Sequence, residues 1–598
     1  MILSIPSALL ILILTHVYGL IPFILLKRSL PQNPITPFFV GFALLGILSG
    51  YFLLSGAINF FVLMLVMIVA IIACWRYQNY YQSYTKYLVK WITSLSVGYK
   101  TLLIVMLMLL LYQGALPAKI HDMAAYYLQT LQWMQQVGVV KGLGNLYPAL
   151  GLGSAWHSLL SIFQIPFLPA FYGINGVLIF TLFTWLLFEY VANEQASTLQ
   201  NVFIGAYGLG LFPISFLYLT APSPDLPLLV FTPLLLYYTL IDTKSIPSQI
   251  MLLMACFLFA IKPPALLGII IGIAIIIQTL KKKQTEPNTY PYGFKTIATH
   301  IWIAIFCLTP IITKNIIQTG YVLYPLGDIG FEEQVWKTMY EIEEKTSPAP
   351  AWKIPTDWNN AYRKGIVVWG YTDSIPAKVF KESLPATSNR FISWISRPGY
   401  KGFMNTLLLL NFLLACLLCF FAKPKRNKRY YVILIGLSTI EWFYLTQYRL
   451  MLPLALSLFS LNLFTITSLW PTLASNHTSL NWKPLYIYLV SILFLFLSFV
   501  PISAFRDQSR NKHITKTEGF QSAYLINPYS NYAEGTLDST QINIGFIYYF
   551  KDKNYTWNAP IPAVSASHSK FIENHFAYQL QRFGPRLKDG FYLKKITP

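Results

Sequence analysis

The apolar residues of this chain fall mostly in unbroken blocks of about 16–22 residues, not at helical or strand spacing. A block of that length, wound as a helix, crosses the ~30 Å hydrocarbon slab of a bilayer. The blocks lie at about 5–26, 37–54, 57–75, 101–116, 172–191, 203–220, 226–241, 250–261, 264–280, 299–317, 403–422, 430–446, 451–470 and 484–503. They predict an all-α polytopic membrane protein, a helical bundle of about 14 spans. One further block, 150–165, contains glycines and stops at Pro166. It reads as an interfacial or re-entrant helix.

The polar positions divide the chain. Four spans fill 1–116, and a first large outer loop with interfacial helices fills 117–171. A core transmembrane bundle follows at 172–317, an outer loop domain at 318–402, further spans at 403–503 and an outer C-terminal domain at 504–598. Within 124–140, Leu128, Leu131, Met134 and Val137 recur at three-residue steps, with Gln129, Gln132, Gln135 and Gln136 between them. That pattern predicts a helix lying on the membrane surface. The segment 318–402 carries Trp336, Trp352, Trp358, Trp369 and Trp394. Strand-like runs such as 542–550 predict a small α/β or mostly β appendage at the C-terminus. No internal repeat is visible, so the inverted-repeat signature of many secondary transporters is missing.

Composition agrees with this reading. Of 598 residues, 55% are hydrophobic and 11% charged, whereas soluble domains carry roughly 25% charged residues. A soluble enzyme, a coiled coil and a disordered chain are excluded. The net charge of +21 would point to nucleic acid in a soluble protein. Here it reads as positive charge on cytoplasmic loops near anionic lipid, with no nucleic-acid partner.

With the N-terminus outside, the inner loops hold Lys27, Arg28, Arg76, Lys86, Lys90, Lys100, Lys244, Lys281, Lys282, Lys283, Lys295, Lys423, Lys425, Arg426, Lys428, Arg429 and Lys483. The comparable outer loops hold Lys119, Lys141, Lys262 and Arg449. This places both termini outside. Residues 1–26 lack a basic n-region and read as a retained first span. All five cysteines lie in apolar blocks, so disulfides are not expected. Cys416-Leu-Leu-Cys419 matches a redox motif by spacing only.

The scarce carboxylates are the candidates for chemistry. Asp122 follows the fourth span, and Asp225 sits in Ser223-Pro-Asp-Leu-Pro227 at a short outer turn. One acid can serve as general base toward an acceptor hydroxyl, and the other can orient the acceptor or hold a divalent cation. The bland alternatives are a helix N-cap for Asp122 and ordinary turn chemistry for Asp225. Lys262, in a Lys-Pro-Pro break, and Arg449, atop a span, are placed to bind phosphate or to anchor at the interface.

Lys314, beside Asn315, reads as a snorkelling residue or a weaker phosphate contact. His121, Tyr126 and Asn145 complete the candidate substrate contacts. Gly142-Leu-Gly-Asn-Leu-Tyr-Pro148 either admits a ligand to the backbone or turns the chain. His157 reads mainly as scenery, Glu189 as reaching water near the cytoplasmic end, and Glu441 as a further candidate. No zinc spacing occurs among the histidines, so no metal site is assigned.

An Asp opening the first outer loop, a following amphipathic helix and a second Asp at an outer turn together resemble the glycosyltransferase-C (GT-C) superfamily. The closer resemblance is to bacterial multi-span proteins of that type. It is carried by His121-Asp-Met-Ala-Ala-Tyr-Tyr-Leu-Gln129, Gly142-Leu-Gly-Asn-Leu146, Gly153-Ser-Ala-Trp156, Ser223-Pro-Asp-Leu-Pro227, Thr319-Gly-Tyr-Val-Leu-Tyr-Pro325, Trp352-Lys-Ile-Pro355, Trp557-Asn-Ala-Pro-Ile-Pro562 and Leu587-Lys-Asp-Gly-Phe591.

The resemblance implies a GT-C-like bundle that transfers a sugar from a polyprenyl-phosphate donor to a glycan or lipid acceptor. Transfer would occur on the periplasmic face of a bacterial inner membrane. It maps the catalytic base to Asp122 and a second acid to Asp225. Two departures stand out: His121 occupies the place of a first acid in the usual acidic pair, and four spans precede Asp122 where the superfamily has one. A transporter or flippase of lipid-linked glycans and a non-enzymatic envelope assembly protein are the competing readings.

Overall fold

The computed structural model describes residues 4–27, 31–114, 122–163, 173–189, 204–205, 207–208, 211, 215, 218–219, 221–240, 246–262, 266–285, 293–325, 354, 400–421, 425–444, 448–469, 537–542, 544, 546–550, 560–564 and 578–595. These residues are mostly helical, with a small strand region near the C-terminus.

Among the described residues, four helices are long and apolar enough to cross a membrane: Ile5–Leu25, Thr36–Ser55, Ile297–Thr319 and Gly402–Phe421. A fifth span arises if Phe60–Arg76 and Gln78–Ser94, bent by 94° at their junction, count as one. The expected 14 spans are therefore not supported. Val97–Leu111, Ile174–Leu187, Asp225–Thr239, Ser248–Ile261, Gly268–Ile277, Tyr431–Ile440 and Met451–Leu463 are apolar but shorter, below the ~20 residues a straight crossing needs. The block 484–503 lies outside the described residues, and 203–220 is described only in pieces.

The first two helices, Ser4–Leu25 and Thr36–Ser55, pack at small residues. A Cβ at Gly19 would meet the Pro37 carbonyl and one at Gly41 the Thr15 carbonyl, so both backbones approach closely. Gln78–Ser94 turns back over their ends and buries Tyr81, Tyr84 and Trp91. Tyr81 donates to the Val17 carbonyl at 3.0 Å and Tyr18 to the Val66 carbonyl at 3.0 Å.

Glu189, expected to reach water, is instead buried. Its carboxylate accepts from Asn33 Nδ2 at 2.8 Å and from the Tyr237 hydroxyl at 3.0 Å. These donors replace the solvation that burial removes.

The segment 122–163 folds into short elements: a π-helical turn Met123–Tyr127, helix Leu128–Gln136, helix Leu143–Leu146, a 3₁₀ turn Pro148–Leu152 and helix Ala155–Ile162. Every residue of the eight-residue Ala155–Ile162 helix is buried, and it is too short to cross a membrane.

Leu128–Gln136 does not present one face to lipid as its spacing predicts. Leu131 and Met134 are buried in the main core beside Ala155–Ile162. Trp133, one step round the helix, joins a second cluster with Val140, Leu143, Leu146, Leu580 and Phe591. Even Gln129 is buried. Protein covers this helix on both sides.

The second cluster is where the C-terminal strands dock. Leu537–Gln541 pairs antiparallel with Phe546–Phe550, and Tyr578–Arg582 with Phe591–Lys595. Phe591 N–H donates to the Lys141 carbonyl at 2.9 Å. Gly590, at φ +93°, is held so close that a Cβ would lie 2.2 Å from the same carbonyl. Only glycine meets both demands.

Candidate active site

Four of the sequence strings are tied together by hydrogen bonds. Gly142 N–H donates to the Ile317 carbonyl at 2.9 Å and Ile354 N–H to the Thr319 carbonyl at 2.9 Å. The Tyr321 hydroxyl donates to the Ile354 carbonyl at 2.8 Å, and the Tyr324 hydroxyl to the Pro148 carbonyl at 3.2 Å. Asn145 Nδ2 donates to the Phe591 carbonyl at 3.2 Å, across 446 positions of sequence. Asn145, expected to contact substrate, thus ties the first loop to the C-terminal strands.

Asp225 opens the helix Asp225–Leu240, where a carboxylate is favoured by the helix dipole. Its backbone N–H donates to Ser223 Oγ at 3.2 Å, so the turn chemistry expected of Ser-Pro-Asp is realised. Its side chain also does more than turn the chain. Lys262, which caps the C-terminal end of Ser248–Ile261, donates to Asp225 Oδ1 at 2.7 Å. Asp225 is 2% exposed and the Lys262 side chain 22%, so the pair lies at a partly open edge. Asp225 Oδ2 is buried and makes no hydrogen bond among the described residues.

Lys314 does not snorkel. It is 4% exposed, and its ammonium donates to the Gly153 carbonyl. No carboxylate pairs with it among the described residues. It also lines a cavity of ≈ 20 Å³ together with Gly46, Gly50, Ser154, Ser158 and Cys307. That volume admits about one water-sized molecule.

His157, which sequence reasoning left as background, belongs to this cluster. The Ser154 backbone N–H donates to Nδ1 at 3.2 Å, and Ser154 Oγ accepts from the His157 backbone N–H at 3.3 Å. The result is a capping box at the start of Ala155–Ile162. The spacing Ser154-x-x-His157 was the available signal. Because Nδ1 accepts, the ring proton is assigned to Nε2.

Burial, then the positive charges of Lys314 and Lys262, push His157 down to about 3, with the Pro222 carbonyl acting the other way. The ring is therefore neutral at physiological pH. The Pro222 carbonyl is the backbone acceptor that faces the ring. The Tyr127 ring lies 5.0 Å from it, centroid to centroid.

Asp122 immediately precedes the π-helical turn that carries Tyr126 and Tyr127. It is buried, at 8% exposed. Burial, and then the charge of Asp122, push the Tyr147 hydroxyl up to about 12. Tyr126 is half-buried, with its ring 4.6 Å from that of Tyr127. Tyr147 was not singled out in the sequence, although it lies in the glycine string with Asn145.

His121 lies outside the described residues. The side chains of Arg449 and Glu441 do so as well. The helix bearing Arg449, Tyr448–Leu469, packs against Asp225–Leu240. No group of three His, Cys, Asp or Glu able to hold a metal occurs among the described residues. Asp225, the acid considered for a cation, already has an ammonium partner.

A family model described as "Domain of unknown function (DUF8201)" matches residues 1–349 and 346–456. No curated protein matches the chain, and no solved structure does. Since the match spans most of the sequence, the protein belongs to the DUF8201 family.

Proposed function

We propose that this protein is a GT-C-like membrane glycosyltransferase. In this reading it moves a sugar from a polyprenyl-phosphate carrier to a glycan or lipid acceptor on the outer face of a bacterial inner membrane. The observation that carries the reading is the Asp225–Lys262 pair beside the buried His157, whose ring also feels the charge of Lys314. A polyprenyl phosphate cannot leave the bilayer, so its sugar–phosphate bond must be attacked at the interface.

Asp122 takes the proton of an acceptor hydroxyl as its oxygen bonds to the anomeric carbon. The phosphate leaves with the bonding electrons and stays on the lipid, and a single displacement inverts the configuration. Cations stabilise the departing phosphate. Lys262 is half-committed to Asp225, which leaves Lys314 the stronger candidate for that charge. Arg449 is the further cation proposed from the sequence. The outside placement of both termini belongs to the same proposal.

A flippase for lipid-linked glycans is the second reading. A lysine buried inside an apolar helix, as Lys314 is, favours it. The two separate in proteoliposomes given a labelled polyprenyl-phosphate sugar. Transfer of label to an acceptor supports the enzyme, while movement of intact donor between leaflets supports the flippase.

A further inference from the structure

No acidic residue precedes Asp122, so the cations of the N-terminal segment have no counter-charge nearby in sequence. Three of them are exposed around one elbow: Arg76, at the end of Phe60–Arg76, and Lys86 and Lys90 on Gln78–Ser94. No carboxylate pairs with any of the three among the described residues. The Arg76 guanidinium lies 5.4 Å from the centroid of the Tyr77 ring. Lys100 is different, because its ammonium donates to the Thr93 carbonyl at 2.8 Å and closes the end of Gln78–Ser94.

The elbow sets the depth of these cations. Phe61, Leu65, Ile68, Ile72 and Trp75 form one exposed stripe along Phe60–Arg76, a face that suits hydrocarbon. The stripe ends in Trp75, 76% exposed, and tryptophan is enriched at headgroup level. The helix has 17 residues and is therefore ~26 Å long, close to the ~30 Å slab. With that helix set across the bilayer, the 94° bend lays Gln78–Ser94 in the membrane plane.

Protein holds one face of Gln78–Ser94. Tyr81 donates to the Val17 carbonyl, Tyr87 donates to the Gln32 carbonyl at 2.7 Å, and Trp91 meets the Phe188 ring edge-on at 5.4 Å. Lys86 and Lys90, one turn apart, lie on the opposite face. Val89 and Ile92, on the flank between the two, are 50% and 39% exposed. An in-plane helix with a basic face and an exposed apolar flank is the pattern that binds acidic lipid.

We propose that this elbow is a docking surface for anionic phospholipid headgroups. Arg76, Lys86 and Lys90 sit at the level of the lipid phosphates, and Val89 and Ile92 sit among the first acyl carbons. Charge complementarity selects the occupant: three cations without carboxylate partners, spread along an elbow in the membrane plane, face a layer of anions. The surface fixes the depth of the N-terminal helices and is independent of sugar transfer.

The test uses the full-length protein in phosphatidylcholine nanodiscs. Each holds a trace of photoactivatable phosphatidylglycerol or of photoactivatable phosphatidylcholine with the same acyl chains. Cross-links are mapped by mass spectrometry to residues 75–97. Each cation at the surface contributes about fivefold, so phosphatidylglycerol should label this segment at least ~10-fold more than phosphatidylcholine. The preference should shrink as salt is raised. Joint substitution of Arg76→Gln, Lys86→Gln and Lys90→Gln should bring the ratio toward one with the thermal midpoint kept, whereas Lys86→Arg with Lys90→Arg should preserve it.

Equal labelling by the two lipids in the wild type, no labelling of this segment by either, or an unchanged ratio in the triple variant overturns the proposal. Should the triple variant lose its thermal midpoint, Lys86→Gln with Lys90→Gln keeps the Arg76–Tyr77 contact, and the same ratio then decides.

Discussion

The Lys262 ammonium donates to Asp225 Oδ1 at 2.7 Å, while Oδ2 of the same carboxylate has no hydrogen-bond partner among the described residues. The pair is asymmetric. Lys262 can straighten toward water at the edge of the core, but Asp225 has no such route. Removing one partner of a buried pair costs about 3–5 kcal/mol, because the other charge is stranded, and exposure of Lys262 lowers that figure here. Lys262→Met should therefore lower the thermal midpoint more than Asp225→Asn does. A double-mutant cycle on the detergent-solubilised protein measures this, and equal losses in the two single variants would count against the asymmetry.

Acidification should weaken the fold through His157. Its folded value, about 3, lies below the ordinary 6.5, so the unfolded chain takes up the proton first. The stability this contributes is complete above pH ~6.5 and is lost progressively as pH falls toward 3. The thermal midpoint should be insensitive to His157 between pH 7 and 8 and should drop below ~6.5. His157→Gln should flatten that acid limb; an unchanged limb would mean that other groups carry it.

The C-terminal strands should depend on one glycine. Gly590→Val introduces a Cβ against the Lys141 carbonyl at a positive φ, a strain of order 1–3 kcal/mol. Asn145→Ala removes the bond to the Phe591 carbonyl, at about 1 kcal/mol. Both should speed proteolytic clipping beyond residue 537 without unfolding the apolar core, as followed by mass spectrometry of the fragments. Wild-type clipping rates in Gly590→Val would refute this docking.

The buried carboxylate of Glu189 gives a separate prediction. Tyr237→Phe deletes a donor to it and should destabilise the protein by about 1.5–3 kcal/mol, since the acceptor is charged. Leu234→Val, nearby on the same helix, serves as a control for simple loss of packing volume and should cost less. The comparison is made by chemical denaturation in one detergent.

The legible part of the fold followed from hydropathy. Ser4–Leu25 and Thr36–Ser55 lie where their apolar runs predict, because desolvation along a whole helix is decided within one segment. The number of crossings was not legible. The blocks at 250–261 and 226–241 nearly match the helices Ser248–Ile261 and Asp225–Leu240, but at 14 and 16 residues these fall short of the ~20 a straight crossing needs.

The surface-helix expectation failed at Trp133. Periodicity reveals an apolar stripe but not what covers the residue beside it, and the cover came from Phe591 and Leu580. Asp225 and Lys262 stood out singly as rare charges at apolar block ends. Their pairing across 37 residues depends on how two helices pack, which local pattern does not encode. His157 was undervalued for the same reason, as its partners Lys314, Lys262 and Pro222 arrive from three other segments.

The central claim is that Asp122 serves as base for sugar transfer from a lipid phosphate. The most direct measurement is turnover of radiolabelled polyprenyl-phosphate monosaccharides by purified wild type and Asp122→Asn in proteoliposomes supplied with envelope glycan and lipid extract. The account predicts transfer of label by the wild type and at least a ~10³-fold loss in a folded Asp122→Asn variant. Wild-type turnover by Asp122→Asn, or no transfer from any donor by the wild type, would contradict it.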